Sequence, residues 1–320
     1  MPKQGNTRKG SMQFYPRVRA KKIIPRVSWQ FISKNKGMLG FIGYKVGMKS
    51  AYLRDNCPTS LTKGQRIVLP VTIVECPTLK IFSVRFYKNK KVMNEVLSSV
   101  IDKEVKKKVK LPKTVKKKID DFEGKYDDVR ILVYSQVKKT GIKKKPDFAE
   151  LGLGGSLDEK INFIKEHLNK EISIKDYLTD DFMKHGLIDV RGVTTGRGNQ
   201  GAAKRFGLAL RSHKSEKGVR GPGSGGAWHP SRVEFTQPMS GQMGYFTRVV
   251  YNNKILNVGN VKEKDINEEK GFKNFGKIRG EYVILCGSIQ GPSKRQLLLT
   301  SALRPSREQL KKNYEFLELR

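Results

Sequence analysis

Between Gly196 and Gly244 this chain carries no hydrophobic periodicity, and a stretch of that length without it is uncommon inside a compact domain. The segment opens GRGNQGAAKRFGLALRSHK and continues SEKGVRGPGSGGAWHPSRVEFTQPMSGQMG. Glycines fall at 196, 198, 201, 207, 218, 221, 223, 225 and 226. Between them stand Arg197, Lys204, Arg205, Arg211, Lys214, Lys217, Arg220 and Arg232, opposed only by Glu216 and Glu234. Glycine removes side-chain bulk, so the backbone can thread narrow spaces and approach phosphates closely. Arginine and lysine neutralise phosphates, and arginine can also stack on bases or pair bidentately. Trp228 and His229 follow two glycines and precede Pro230, which puts an indole and an imidazole on a thin, turned segment. Both rings can stack on splayed nucleobases. Tryptophans are more often core residues, but the flanking glycines and proline argue against a core strand here.

A second segment shares this character. No acidic residue occurs from Met1 to Arg54, while Lys3, Arg8, Lys9, Arg17, Arg19, Lys21, Lys22, Arg26, Lys34 and Lys36 all do. Apolar residues are scattered among the first 37 positions, with Pro16 and Pro25 as breakers. Such a composition cannot build its own core, so residues 1–37 are expected to be an extended arm that orders only against a partner. The whole chain has 65 Lys and Arg against 30 Asp and Glu, a net charge of +35. A free globule gains nothing from that self-repulsion. The excess implies a polyanion, most simply nucleic acid.

The remainder reads as mainly β with an α/β insertion. Ile42, Tyr44, Val46 and Met48 alternate with Gly43, Lys45, Gly47 and Lys49, the period of a strand. Ile67–Val74 is nearly continuous and β-branched, although Pro70 cannot donate to a ladder. Phe82, Val84 and Phe86 alternate again, and three such strands suggest the start of a barrel or sandwich. Residues 88–185 hold 17 of the 30 acidic residues beside dense lysines, so their charge is more nearly balanced. Ser156 and Glu159 form a capping-box pattern, after which Ile161, Ile164 and Leu168 share one helical face. Asp128–Val137 reads as a strand. The lysine runs 106–108, 116–118 and 143–145 are expected to be solvated faces. Strand signals return at Leu187–Val193, Thr247–Val258, Tyr282–Ile289 and Gln296–Leu303. The expected organisation is therefore an arm over 1–37, a first half-barrel over 38–87 and an insertion over 88–185. A barrel strand over 186–195, a central extension over 196–246 and a second half-barrel with a tail over 247–320 complete it.

Other chemistries fit poorly. Gly196, Gly198 and Gly201 match a dinucleotide-binding glycine pattern, but no compact βαβ unit follows. Four histidines, at 167, 185, 213 and 229, are scattered, and no nucleophile–base pattern accompanies them. His167 and His185 read as packing or capping residues. Cys57, Cys76 and Cys286 lack metal-ligand spacing and read as small buried residues of a reducing compartment. No apolar signal or membrane-spanning run is present, so a soluble, intracellular protein is expected. No cofactor and no small-molecule substrate is expected.

Several stretches, in order along nearly the whole chain, are similar to one known family. GSMQFYPRVRAKK at 10–22 resembles the basic N-terminal motif of the L-three family of large-subunit ribosomal proteins, in its archaeal–eukaryotic form. FIGYKVGM at 41–48 is similar to that family's first barrel strand, and DVRGVTTGRGNQGAAKRFG at 189–207 to the entry of its central extension. GAWHPSRV at 226–233 and SGQMGYFTR at 240–248 resemble the tip and return of that extension. The spacer between His213 and Trp228 departs from the family pattern, being glycine-heavy and containing Glu216. The resemblance implies a split β-barrel of the translation-protein type with a long basic arm and a central extension. It also implies a cytoplasmic, non-enzymatic constituent of the large subunit. Such a protein would bind ribosomal RNA beside neighbouring ribosomal proteins and enter early in assembly. Its extension would carry Trp228 toward the peptidyl transferase centre. The expected RNA contacts are the arm residues Lys3, Arg8, Lys9, Arg17, Arg19, Lys21, Lys22 and Arg26, and the loop cations named above with His213, Trp228, His229 and Gln242. The rival readings are an RNA-modifying enzyme, tested by turnover, and a general nucleic-acid packaging protein, tested by competition between DNA and structured RNA.

Overall fold

The computed structural model describes residues 12–32, 37–112, 126–178, 186–215, 218–229 and 231–320. Within them the protein is mainly β. In chain order the strands are β1 (Gly37–Met38), β2 (Gly40–Asp55), β3 (Arg66–Cys76), β4 (Leu79–Lys88), β5 (Lys91–Leu97), β6 (Asp128–Ser135) and β7 (Phe148–Gly154). They continue as β8 (Leu187–Val193), β9 (Asn199–Gln200), β10 (Gly241–Gln242), β11 (Thr247–Asn260), β12 (Glu281–Cys286), β13 (Gln296–Ser301) and β14 (Tyr314–Leu319). The chain divides into two compact units, Met1–Ile23 with Val193–Arg248, and Ile24–Gly192 with Val249–Arg320.

The larger unit holds two sheets. One runs β13-β8-β11-β12-β3-β2-β14, and β13 also pairs with β2, so six of its strands return upon themselves. The other runs β1-β7-β6-β4-β5. A single apolar core joins them, drawing Phe41, Ile42 and Leu298 from the first and Ile81, Ile131 and Leu151 from the second. A buried polar seam crosses the same junction. The Tyr44 hydroxyl donates to Asp147 at 2.6 Å and lies 2.7 Å from the Ser135 hydroxyl. Burial and the adjacent Asp147 push the Tyr44 phenol well above its ordinary pKa, so it stays neutral and donating. Lys143 pairs with the same carboxylate and also donates to Gln296 at 2.7 Å. Lys108 approaches it at 3.4 Å.

Several expectations need correcting. Trp29 is only 4% exposed, and Val27 and Ile32 join the same core, so the arm cannot run to residue 37. Trp29 lies against bare backbone: a Cβ at Gly152 would sit 2.7 Å from its Cβ and Cγ, and one at Gly40 would sit 2.9 Å from its ring. β4 was expected as a third strand of the first half-barrel, yet it pairs with β5 and β6 in the other sheet, because the chain leaves the first sheet after Cys76. Lys106, Lys107, Lys144 and Lys145 are exposed as expected, but Lys143 is half-buried against Asp147, and the exposed Lys108 also reaches that carboxylate. The run 116–118 and His185 lie outside the described residues. The C-terminal tail is a strand, β14, laid along the second half of β2.

The alternation read over 42–48 holds through Val46 and then reverses. A β-bulge between Lys45 and Gly47 shifts the register against β3. One extra residue inverts the pleat, so Met48 is 47% exposed and burial resumes at Ala51 and Leu53. Pro70 is accommodated because the β12 ladder on β3 stops at Val71, and on that side Pro70 only accepts, its carbonyl taking the Gly287 amide at 2.8 Å. The helix Leu157–His167 carries the expected reciprocal cap, and buries Ile164. His167 stacks on Phe163 at 4.3 Å and its Nδ1 lies 3.0 Å from the Phe163 carbonyl, a packing role as expected. Cys57 and Cys76 are buried and Cys286 half-buried, and the described residues contain no cluster able to hold a metal.

Candidate nucleic-acid interface

The smaller unit has almost no core. Among its described residues, Ala202 and Phe206 are the buried apolar side chains apart from Val193 at its root. Order comes instead from a short two-stranded neck. Arg197 donates its amide to the Met243 carbonyl at 3.0 Å, and Met243 donates back to Gly198 at 2.9 Å. Thr194 donates to Phe246 at 2.9 Å, and β9 pairs with β10 above it. Gly244, at φ +69°, is required here, because a Cβ would collide with the Thr195 carbonyl oxygen. The glycine pattern 196–198–201 leads into a helix of one turn, Ala202–Phe206, which is too short for a dinucleotide-binding crossover.

The residues expected in the interface fall into two groups. Arg205 is a brace: its guanidinium donates to the Gln242 and Met239 carbonyls, both at 3.0 Å. Arg17 stacks over Phe206 at 4.5 Å and Tyr15 at 5.1 Å. Gln242 commits its amide N–H groups to the Met243 and Gly244 carbonyls. A further brace was not anticipated: Arg248 lies over Phe14 at 4.7 Å and Phe246 at 5.0 Å. The arm segment is thereby part of this unit, with Ala20 donating to the Tyr245 carbonyl at 2.8 Å. The only sequence signal for these pairings was the aromatic–basic text of residues 14–19 and 245–248, which cannot say which ring meets which cation.

The second group faces outward. Arg19, Lys21, Lys22, Arg197, Lys204, Arg211, His213, Lys214, Arg220, His229 and Arg232 are all exposed. Arg26 is exposed too, on the larger unit. Lys3, Arg8, Lys9 and Lys217 lie outside the described residues. Trp228 is 87% exposed, so it is no core residue. Val233, Phe235 and Met239 are also exposed.

Electrostatics separates this unit from the rest. Its sequence holds 16 Lys and Arg against Glu216 and Glu234 alone. In the larger unit, by contrast, Arg85 and Arg130 share Glu150, and Lys80 and Lys139 share Glu171. Burial followed by repulsion from Arg17 lowers the pKa of both Arg205 and Arg248. The Arg17 guanidinium thus lies near enough to those of Arg205 and Arg248 for like-charge repulsion to be felt. An arginine stays charged under such conditions.

A basic, mainly β protein with an exposed cationic extension is the class that this fold and surface define. The sequence profile of the family described as Ribosomal protein L3 matches residues 1–319. The large ribosomal subunit protein uL3 of Methanocaldococcus jannaschii is 40% identical over 318 residues, covering 95% of this chain and 93% of its own length. The uL3 proteins of Methanobrevibacter smithii, 38% identical with 96% and 94% covered, and of Thermoplasma acidophilum, 39% identical with 98% and 97% covered, are similar to the same extent. The chain belongs to the Ribosomal protein L3 family.

Proposed function

We propose that this chain is a structural, non-catalytic constituent of the large ribosomal subunit that binds large-subunit ribosomal RNA and enters during early assembly. The observation that carries the reading is the smaller unit: 16 Lys and Arg against two Glu, on glycine-loosened backbone, with an 87% exposed Trp228. Exposed lysines and arginines neutralise phosphates, and affinity comes chiefly from counterion release. Trp228 and His229 stack on unpaired bases at the tip, which reaches toward the peptidyl transferase centre. Arg17, Arg205 and Gln242 contribute indirectly, by holding the extension in shape. The strands that return upon themselves are read as the split barrel, the body that docks beside neighbouring ribosomal proteins. The protein works in the cytoplasm within the ribosome. No described helix is long and apolar enough to cross a membrane.

Sedimentation of cell extract at moderate salt tests this. The chain is expected to travel with the large subunit and to be released as salt rises. A chain that stays at the top of the gradient at every salt concentration contradicts the proposal.

A further inference from the structure

The aromatic pair Tyr15–Phe235 has no part in the reading above beyond lying in the same unit. The ring centroids are 4.8 Å apart with the planes inclined at 60°. Phe235 nevertheless remains 70% exposed, so Tyr15 covers only a small part of it. We infer that Phe235, backed by Tyr15 and Arg17, is a second base-stacking site for an unpaired nucleotide of RNA, distinct from Trp228. This deepens the RNA-binding reading and rests on it.

The platform is held in place before any ligand arrives. Tyr15 is gripped by the Arg17 guanidinium, 5.1 Å from its ring. Arg17 lies in turn over Phe206, which is 6% exposed and the largest buried side chain among the unit's described residues. The arm that carries Tyr15 is tied down by the Ala20–Tyr245 hydrogen bond. Phe235 therefore rests on a fixed support, and the entropy lost on binding a base falls on the base. The 70% exposure of Phe235 leaves ring surface open beyond its contact with Tyr15.

The surroundings favour RNA over an apolar partner. Arg17 and Arg205 lie over Phe206 at 4.5 and 5.2 Å, and Arg248 lies over Phe14 at 4.7 Å, so the neighbouring surface of the unit is cationic. Glu234 precedes Phe235 and sits 3.3 Å from the Thr236 hydroxyl. Its charge keeps a phosphate from that immediate point, so the nucleotide meets Phe235 through its base and meets the arginines through its backbone. The opposing possibility is that Phe235 merely pins the arm. A pin would matter equally for every RNA, whereas a stacking site matters only where a base is present.

That difference sets the experiment. The full-length protein is titrated with single-stranded oligoadenylate and with an abasic ribose-phosphate strand of equal length, at one low salt concentration. Wild type is expected to prefer oligoadenylate. Phe235→Leu keeps every charge and should lose about 5- to 100-fold of that preference, with affinity for the abasic strand unchanged. Phe235→Trp should retain the preference, since any aromatic face serves. Equal loss on both strands makes Phe235 a pin and overturns the inference; undiminished preference in Phe235→Leu overturns it as well. Wild-type protein that binds neither strand overturns the RNA-binding reading and this inference with it.

Discussion

The two tryptophans occupy opposite physical situations. Trp29 is 4% exposed and pressed onto Gly40 and Gly152, whereas Trp228 is 87% exposed. Truncating a buried tryptophan removes its packing and leaves a cavity, at a cost of about 3–5 kcal/mol. Trp29→Ala should therefore lower the unfolding free energy by about that amount, read by urea denaturation. Trp228→Ala should change it by less than about 0.5 kcal/mol, while impairing translation by particles that contain it. A thermal or urea transition that moves strongly for Trp228→Ala would place that ring in a core instead. Glu75 carries the clearest pH effect. Burial raises its pKa to about 7, against opposing hydrogen bonds from the Arg279 and Gly280 amides and the nearby Arg279 charge. Its folded pKa exceeds its unfolded value, so its contribution is fully present below the unfolded pKa and lost as pH rises through about 7. Stability should fall between pH 5 and 8, and Glu75→Gln should flatten that dependence by keeping a neutral acceptor for the two amides. Parallel pH profiles in the two proteins would rule Glu75 out as the cause.

At the scale of elements, the extension is ordered by braces rather than by burial. Stacks of arginine on aromatic rings contribute about 0.5–1 kcal/mol each at exposed sites. Arg17 makes two of them, so Arg17→Ala should free the arm without unfolding the larger unit. Hydrogen exchange at the Ala20 amide, now bonded to Tyr245, should speed up markedly, while exchange in β3 and β12 stays slow. Unchanged protection at Ala20 would show that backbone bonds alone hold the arm. β2 illustrates what a sequence pattern can convey about an element. Its first half was legible from Ile42, Tyr44 and Val46, because a strand with a buried face must alternate. The reversal after Gly47 was not, because a bulge depends on the partner strand's register and glycine is only compatible with it. The capping box at Ser156 was legible for the opposite reason, since every atom it needs lies within four residues.

At the scale of the whole molecule, positive charge is concentrated where apolar burial is absent. If about eight phosphates are neutralised, log K for large-subunit RNA should fall against log salt with a slope of roughly −6 to −7. Filter binding between low and moderate salt measures it, and a nearly flat titration would show that charge is not the driving term. The sequence by itself determined this division, because composition needs no partner: basic, glycine-loosened segments with few apolar residues cannot close a core of their own. It likewise determined the β character of the remainder, since period-2 alternation is a local property of the chain. Tertiary structure alone decided which strands share a sheet, sending β4 away from β2 and β3. It alone decided that Trp29 leaves its basic surroundings for the core, that Lys143 joins Asp147 and Tyr44, and that Arg17 and Arg248 brace rather than reach outward. Each of these depends on groups far apart in the chain meeting in space, and residue order carries no record of such distances until the backbone has closed them.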